Sequence, residues 1–254
     1  WVNFKSALVG QYYSGGDTCD GGDAAKVINL AQSPDDRADL DLSILNAFRK
    51  IERSLVFDKA LDLWINIFPS TLMSSSVLAK LISIIRTSMH NIVVEITESE
   101  FLTDYHAARE SVKAIQRAGA KVVLDDFGSG AASIQSLLEL PVDGIKIDRV
   151  VFQQAALDQR FMPLIEGTIA TAKMLEIPVV IEGIETLSHL SIARTLNAEY
   201  IQGYFVSRPA SIPDTLDSAK FKRQLAAYEM RKAARGDSQT ANESLRLCLG
   251  AKPG

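Results

Sequence analysis

Acidic, amide and lysine side chains recur where short apolar runs of this sequence end. They are Asn66, Glu95, Asp125, Asp126, Lys146, Asp148 and Glu182. Carboxylate and amide oxygens are the ligands that hard divalent cations prefer. Two such ions about 4 Å apart activate a water and stabilise a leaving oxygen, and a nearby lysine offsets the charge of a phosphate. This set of residue types therefore indicates metal-dependent chemistry on a phosphodiester.

The elements that would position these side chains alternate along the chain. Apolar, β-branched runs lie at residues 63–66, 92–96, 122–124, 144–147 and 179–181. Segments of helical periodicity separate them, for example the stripes that start at Phe101 and at Met162, and Gly119 stands where a helix C-cap belongs. Alternating strands and helices predict parallel strands joined by right-handed crossovers. An α/β barrel is favoured over an open sheet.

The position of the polar residues supports the barrel. In (βα) barrels the carboxyl ends of the strands meet at one face, which carries the catalytic and binding groups. The structural alternative is that acidic residues end strands and cap the helices that follow. Five successive runs ending in this way favour the functional interpretation, although for any single residue the structural one stays open.

Composition limits the class of protein. The chain has 254 residues, of which 47% are hydrophobic, and this suits one large α/β domain or two small ones. A net charge of −4 argues against non-specific nucleic-acid binding. Cys19 and Cys248 are expected to be free thiols in a reducing compartment. We therefore expect a cytoplasmic domain, cut from a larger protein because the sequence begins at Trp1, and any membrane anchor is expected in the part that was removed.

The remaining features point to structure. A strand is predicted at residues 4–13, and the aspartates of the following loop, at 17, 20 and 23, lack calcium-loop spacing. A polar helix is predicted at residues 216–234, followed by a mobile tail. The three histidines share no metal-ligand spacing and are predicted on helix or loop surfaces: His90, His106 and His189.

Five motifs carry a specific resemblance. They are Glu-Ile-Thr-Glu-Ser (95–99), Asp-Asp-Phe-Gly-Ser-Gly (125–130), Leu-Pro-Val-Asp-Gly-Ile-Lys-Ile-Asp-Arg (140–149), Glu-Gly-Ile-Glu-Thr (182–186) and Gln-Gly-Tyr-Phe-Val-Ser-Arg-Pro (202–209). In this order they resemble the EAL family of the cyclic-di-GMP system. The resemblance implies an EAL-type modified (βα)8 TIM-like barrel with an extra C-terminal helix. The expected division is diverged N-terminal strands at 1–38, the barrel core at 39–212, and the C-terminal helix and tail at 213–254.

The resemblance also implies roles by position. The first metal ion, Mg²⁺ or Mn²⁺ if one is bound, would have as ligands Asn66, Glu95 and Asp125; the second would have Asp125, Asp126 and Glu182. Lys146 would assist the attacking water, and Glu98 would steady the loop after Asp126. The positions implied to bind cyclic-di-GMP are Asp126, Lys146, Asp148, Glu185, Gln202 and Pro209. Family members typically linearise cyclic-di-GMP to pGpG.

The family's first motif is missing, because no Glu-Ala-Leu occurs in the sequence. Its glutamate is a ligand of the first metal, and an arginine two residues after the motif contacts a substrate phosphate. Counting back from Pro34 places Lys26-Val27-Ile28 over the motif and Leu30 over the arginine. A shift of three residues would place Asp23 at the glutamate. An ammonium near a divalent cation is repulsive, so Lys26 would weaken the first metal site.

Further departures affect the predicted ligand contacts. The loop after the paired aspartates has Ala131 and Ala132 where the family has hydroxyl residues, and Phe68 and Pro69 follow the strand that carries Asn66. We therefore predict a catalytically inactive cyclic-di-GMP receptor that signals to a protein partner or neighbouring domain, with a homodimer possible. The alternatives are an interaction domain that no longer binds nucleotide and a residually active phosphodiesterase.

Overall fold

The computed structural model describes residues 2–3, 31–54, 62–97, 104–129 and 133–206. The chain divides into two compact units, Trp1–Lys146 and Ile147–Gly254. Each is an α/β unit in which parallel strands alternate with helices, as the sequence periodicity predicts.

The first unit alternates strands and helices in the order of the chain. Its strands are β1 (Val2–Asn3), β2 (Asp62–Ile67), β3 (Asn91–Thr97), β4 (Lys121–Phe127) and β5 (Gly144–Ile147), which runs across the boundary between the units. Its α-helices are α1 (Pro34–Ser54), α2 (Ser75–Thr87), α3 (Tyr105–Ala118) and α4 (Ser133–Glu139), and a 3-10 turn spans Pro69–Met73.

The strands of the first unit pair in parallel. The register joins Asn3 of β1 to Trp64 of β2, and β2 pairs with β3 so that Asn66 lies opposite Glu95. All residues of β2 after the first are buried, and β3 and β4 follow the same pattern almost to their ends. Burial on both faces explains why these strands are continuous apolar runs rather than alternating ones.

Local signals set the ends of the helices. Ser33 and Asp36 exchange hydrogen bonds at the start of α1: Asp36 N–H donates to Ser33 Oγ (3.1 Å), and Ser33 N–H donates to the Asp36 carboxylate (3.1 Å). The hydrogen bonds from Ser33 lower the pKa of Asp36. Asp104 caps α3 by accepting from Ala107 N–H (2.9 Å). Gly119 ends α3 with φ = +110°, which confirms the predicted C-cap.

The second unit continues the alternation. It contains α5 (Arg149–Leu157), a 3-10 turn (Gln159–Phe161), α6 (Met162–Met174), β6 (Val179–Ile181), α7 (Leu187–Thr195) and β7 (Tyr200–Ile201). The strands β6 and β7 pair in parallel, with Ile181 opposite Ile201. The predicted stripe on α6 is largely confirmed, because Ile165, Ile169 and Ala172 are buried.

Comparison with the sequence predictions shows agreement in the middle of the chain. The strands predicted at 144–147 and 179–181 have those bounds. The other three strands are longer than predicted, by one to three residues at each end. One prediction is wrong: His90 is buried, because the turn before β3 packs it inward and its N–H donates to Ser88 Oγ (3.0 Å). The predicted helix at 216–234 and most of the strand at 4–13 lie outside the described residues. Among the described helices, none has both the length and the apolar character needed to cross a bilayer.

Candidate functional site

Strand register places three predicted site residues on one side of the sheet in the first unit. Asn66 and Glu95 are direct partners across β2 and β3. Glu95 in turn pairs with Val123 of β4, and Asp125 follows two residues later. Because alternate residues of a strand point to the same face, Asn66, Glu95 and Asp125 share a face.

These residues form one buried polar cluster with Lys146 of β5. The Lys146 ammonium lies 2.6 Å from Glu95 Oε1 and 2.8 Å from Asp125 Oδ1. Asn66 Nδ2 donates to the other oxygen of Glu95 at 2.8 Å. Glu95 is fully buried and Lys146 is 1% exposed. A charged group at this depth needs a partner of opposite charge, and the lysine and the two carboxylates supply it for each other.

The donor set of this cluster fits a hard divalent cation. Asn66 is 8% exposed, and its Oδ1 accepts no hydrogen bond from the part of the chain that the structure describes. A buried amide oxygen of this kind is costly unless it gains a donor or a cation. With the carboxylates of Glu95 and Asp125 it offers the all-oxygen ligand set of Mg²⁺ or Mn²⁺.

The second aspartate of the pair has a different environment. Asp126 adopts a left-handed conformation (φ = +57°) and is partly exposed, whereas Asp125 is 8% exposed. This conformation breaks the strand alternation, so the two adjacent carboxylates need not point to opposite faces. Ser129 fixes the turn that follows, since both its N–H (3.1 Å) and its hydroxyl (2.8 Å) donate to Asp126 O.

Sequence reasoning missed Asp41, which holds the turn directly after Asn66. Asp41 lies on α1 with no exposed surface. Its Oδ2 accepts from Phe68 N–H (3.0 Å) and from the Thr71 hydroxyl (2.5 Å). An aspartate between the buried residues Leu40 and Ile44 of a helical stripe was the available signal. A buried carboxylate in an apolar face needs specific donors.

The second unit places the remaining predicted positions around the ends of its strands. Asp148 is the N-cap of α5: its Oδ1 accepts from Val150 N–H (2.8 Å) and Val151 N–H (3.1 Å). For this residue the structural alternative of a helix cap is confirmed, and its predicted ligand contact stays a prediction. Glu182 directly follows β6, and its N–H donates to Ile147 O (3.2 Å).

The other two positions of this unit are also anchored. Glu185 forms an ion pair with Arg149, 2.9 Å between Oε1 and Nη2. Gln202 follows β7 and uses its backbone on both sides: its N–H donates to Ile181 O (2.8 Å), and its carbonyl accepts from Ile184 N–H (3.0 Å). Four sequence-predicted positions lie outside the described residues: Lys26, Leu30, Glu98 and Pro209.

Fold and site together define an α/β domain with carboxylates, an amide and a lysine at the ends of parallel strands. A family model for the EAL domain matches residues 16–209, more than half of the chain. The chain belongs to the EAL domain family, which confirms the resemblance read from the five motifs. The expected fold class, an EAL-type TIM-like barrel, is confirmed as well.

Individual relatives agree with this assignment. The chain is 31% identical over 161 residues to the cyclic di-GMP phosphodiesterase RocR of Pseudomonas aeruginosa, covering 62% of this chain and 41% of RocR. Across eight curated relatives the aligned region spans between 15% and 41% of the relative's own length. The chain therefore spans less than half the length of these relatives.

Solved structures with the same fold include two nucleotide complexes. BlrP1 of Klebsiella pneumoniae, solved as a manganese and cyclic-di-GMP complex, is 26% identical with a TM-score of 0.62, covering 71% of this chain and 47% of BlrP1. The EAL domain of FimX from Pseudomonas aeruginosa, solved bound to c-di-GMP, has a TM-score of 0.64 at 18% identity, covering 73% of this chain and 76% of that domain. At that identity the likeness to FimX concerns the fold alone.

Proposed function

We propose that this EAL domain binds cyclic-di-GMP as a receptor and hydrolyses it poorly or not at all. The observation that carries the proposal is the Lys146 ammonium, held between Glu95 and Asp125 at 2.6 and 2.8 Å. Two buried carboxylates alone would repel an anionic nucleotide. Lys146 cancels one of the two charges, so the pocket tolerates a phosphate without first requiring a metal ion.

The expected loss of hydrolysis follows from the missing Glu-Ala-Leu motif. Without the motif's glutamate, a first metal ion would rely on Asn66, Glu95 and Asp125, and two of these are already bonded to Lys146. The ion and the ammonium then compete for the same oxygens, with one carboxylate fewer on the side of the ion. When bound, the ions would activate the attacking water. The ligand positions of the second ion, Asp125, Asp126 and Glu182, are retained in the sequence.

The position of β1 revises the register that we propose for the missing motif. A glutamate that shares a metal with Asn66 must come from a segment close to β2, and β1 is the strand that pairs with β2 on the side away from β3. Ser6-Ala7-Leu8 follows Asn3 by three residues in the sequence, whereas Lys26 follows it by twenty-three. Ser6 would then replace the motif's glutamate and Gly10 its arginine. Both registers leave the chain without the glutamate.

Turnover assays with two single variants test this proposal. Purified protein is incubated with cyclic-di-GMP and Mn²⁺ or Mg²⁺, and pGpG is quantified by chromatography. We expect no pGpG from the wild type, turnover from Ser6→Glu, and none from the matched control Lys26→Glu. Steady metal-dependent turnover by the wild type would refute the inactive receptor. Turnover from Lys26→Glu alone would restore the earlier register.

One observation favours a residually active phosphodiesterase as the second candidate. Asn66 Oδ1 is buried and accepts no hydrogen bond from the described residues. This is the state expected of an oxygen that binds a metal ion. In this case wild-type pGpG formation is measurable and depends on Asp125, which matches a ligand of both ions. Loss of turnover in Asp125→Asn would support activity at this site. Unchanged turnover would assign the activity to a contaminant.

A further inference from the structure

A turn of five residues, Glu182–Thr186, joins β6 to α7 and carries two of the predicted ligand positions. Its Gly183 carbonyl is bonded by side chains from two helices. Gln153 Nε2 of α5 donates to Gly183 O at 3.1 Å. His189 Nδ1 of α7 lies 3.1 Å from the same oxygen. Both lone pairs of one carbonyl oxygen thus have a donor available.

His189 Nδ1 can donate to the Gly183 carbonyl only in the tautomer that carries its proton on Nδ1. Glu185 N–H also points to Nδ1, at the longer distance of 3.4 Å. The contact to Gly183 O favours this tautomer over the one that accepts from Glu185 N–H, because the hydrogen bond at 3.1 Å is shorter than the one at 3.4 Å. The imidazole packs edge to face against Phe152, with ring centroids 5.6 Å apart and planes at 85°, and this contact fixes the plane of the imidazole.

Gly183 cannot be replaced by a larger residue without moving Arg149, the first residue of α5. Its φ of +73° lies in the region that favours glycine. A Cβ built on it would lie 2.5 Å from Cγ of Arg149, which also pairs with Glu185. The turn therefore passes tightly against the first residue of α5.

The neighbouring backbone groups of the turn are bonded to other strands and turns. Glu182 N–H donates to Ile147 O (3.2 Å), Ile184 N–H donates to Gln202 O (3.0 Å), and Ile184 O accepts from Phe205 N–H (2.9 Å). The Gly183 carbonyl differs because its bonds come from side chains. Gln153 and His189 are thus the adjustable part of an otherwise fixed turn.

We propose that Gln153 and His189 are positioning residues, a clamp on the Gly183 carbonyl that orients Glu182 and Glu185 for the ligand. This inference rests on the proposed cyclic-di-GMP binding for its functional consequence. Without the clamp, the peptide between residues 183 and 184 is held, among the described residues, only by the bond from Ile184 N–H to Gln202 O, so its carbonyl can tilt toward water and the carboxylates on either side lose part of their fixed direction. Carboxylates that already point toward the ligand lose little conformational entropy on binding. Loss of this fixed direction therefore weakens affinity.

Substitutions at His189 separate the donor from the bulk of the ring. His189→Leu removes the N–H at similar volume, and His189→Gln keeps an amide N–H donor. The matched control is Thr168→Val on α6, which removes another side-chain bond to the backbone, from the Thr168 hydroxyl to Leu164 O (2.9 Å), away from the turn. Cyclic-di-GMP affinity is measured by calorimetry after circular dichroism confirms folding. We expect cyclic-di-GMP binding to be about tenfold weaker in His189→Leu and weaker by about twofold or less in His189→Gln. Thr168→Val should bind with wild-type affinity.

The double variant tests the clamp as a unit. With Gln153→Leu as well, both donors are gone, and we expect a loss greater than the product of the two single losses, because each donor partly covers for the other. Wild-type affinity in a folded His189→Leu protein overturns the proposal. Equal losses in His189→Leu and His189→Gln also overturn it, since the ring rather than its donor would then matter.

Amide hydrogen exchange, measured without ligand, tests the clamp independently of the proposed nucleotide binding. Residues 183–186 should exchange faster in His189→Leu than in the wild type, with β6 unchanged. If the wild type binds no nucleotide but this local change is seen, the proposed function fails and the clamp stands. If exchange in the turn is unaltered, the clamp fails whatever the wild type binds.

Discussion

Lys146 is the residue on which the electrostatics of the first unit depend. Its ammonium pairs with two carboxylates, Glu95 and Asp125, which are almost removed from water, and it offsets one of their two charges. Replacing a buried ion pair by apolar groups is often neutral, but removing one partner leaves an uncompensated charge, at a cost of about 3–5 kcal/mol. The lysine therefore stabilises the fold as well as the proposed pocket.

Lys146→Met should lower the free energy of unfolding by about 3–5 kcal/mol in EDTA, because two buried carboxylates lose their counter-charge. Urea unfolding checks this value. The control is Lys113→Met: Lys113 pairs with Glu110 at 2.8 Å with about half of each side chain exposed, so about 1 kcal/mol or less is expected. Mn²⁺ should restore more stability to Lys146→Met than it adds to the wild type. Equal stabilities of Lys146→Met and Lys113→Met would contradict the assigned role.

At the scale of elements, α1 controls the turn that follows β2. Asp41 of α1 bonds Phe68 N–H and the Thr71 hydroxyl, which lie one and four residues beyond the end of β2 at Ile67. Ser111 of α3 holds the same turn from its other end, with its hydroxyl donating to Leu72 O (2.7 Å). Two helices thus fix the segment whose sequence departs from the family.

Asp41→Ala should destabilise the protein by about 2 kcal/mol, because the buried Phe68 N–H loses its acceptor and the Thr71 hydroxyl keeps only Phe68 O. Asp39→Ala, an exposed aspartate on the same helix, is the matched control and should change stability by less than about 0.5 kcal/mol. Denaturant unfolding of both variants gives the difference. If the turn also positions Asn66, Asp41→Ala should weaken Mn²⁺ binding in the folded protein, and Asp39→Ala should not. Identical unfolding midpoints for the two variants would rule out this function of α1.

How far the sequence predicted these elements depends on how local their signals are. Burial on both faces makes strands such as β3 and β4 continuous apolar runs, and Gly119 supplies a left-handed C-cap, so both were predictable. The placing of Asn66, Glu95 and Asp125 on one face follows from parallel register and was anticipated from the strand ends. The pairing of Lys146 with two carboxylates depends on side-chain conformation and long-range contact, for which the sequence holds no local signal.

At the scale of the whole chain, the five motifs establish the family, whereas the N-terminal sequence does not locate the position of the missing Glu-Ala-Leu motif. The register of the missing motif was counted back from Pro34, and loops of unknown length make such a count insecure. The pairing of β1 with β2 supplied a long-range constraint that no local pattern contains, and it moved the proposed position from Lys26 to Ser6.

The most direct test of the account is a calorimetric titration of cyclic-di-GMP into the purified chain in EDTA, where metal-dependent hydrolysis cannot occur. Because Lys146 offsets one of the two carboxylate charges without a metal, we expect saturable heat with a micromolar or tighter Kd. GMP, titrated in parallel as a control, should bind at least tenfold more weakly. No heat and no competition at high micromolar nucleotide would contradict the receptor, and protein partners would then be the ligands to seek.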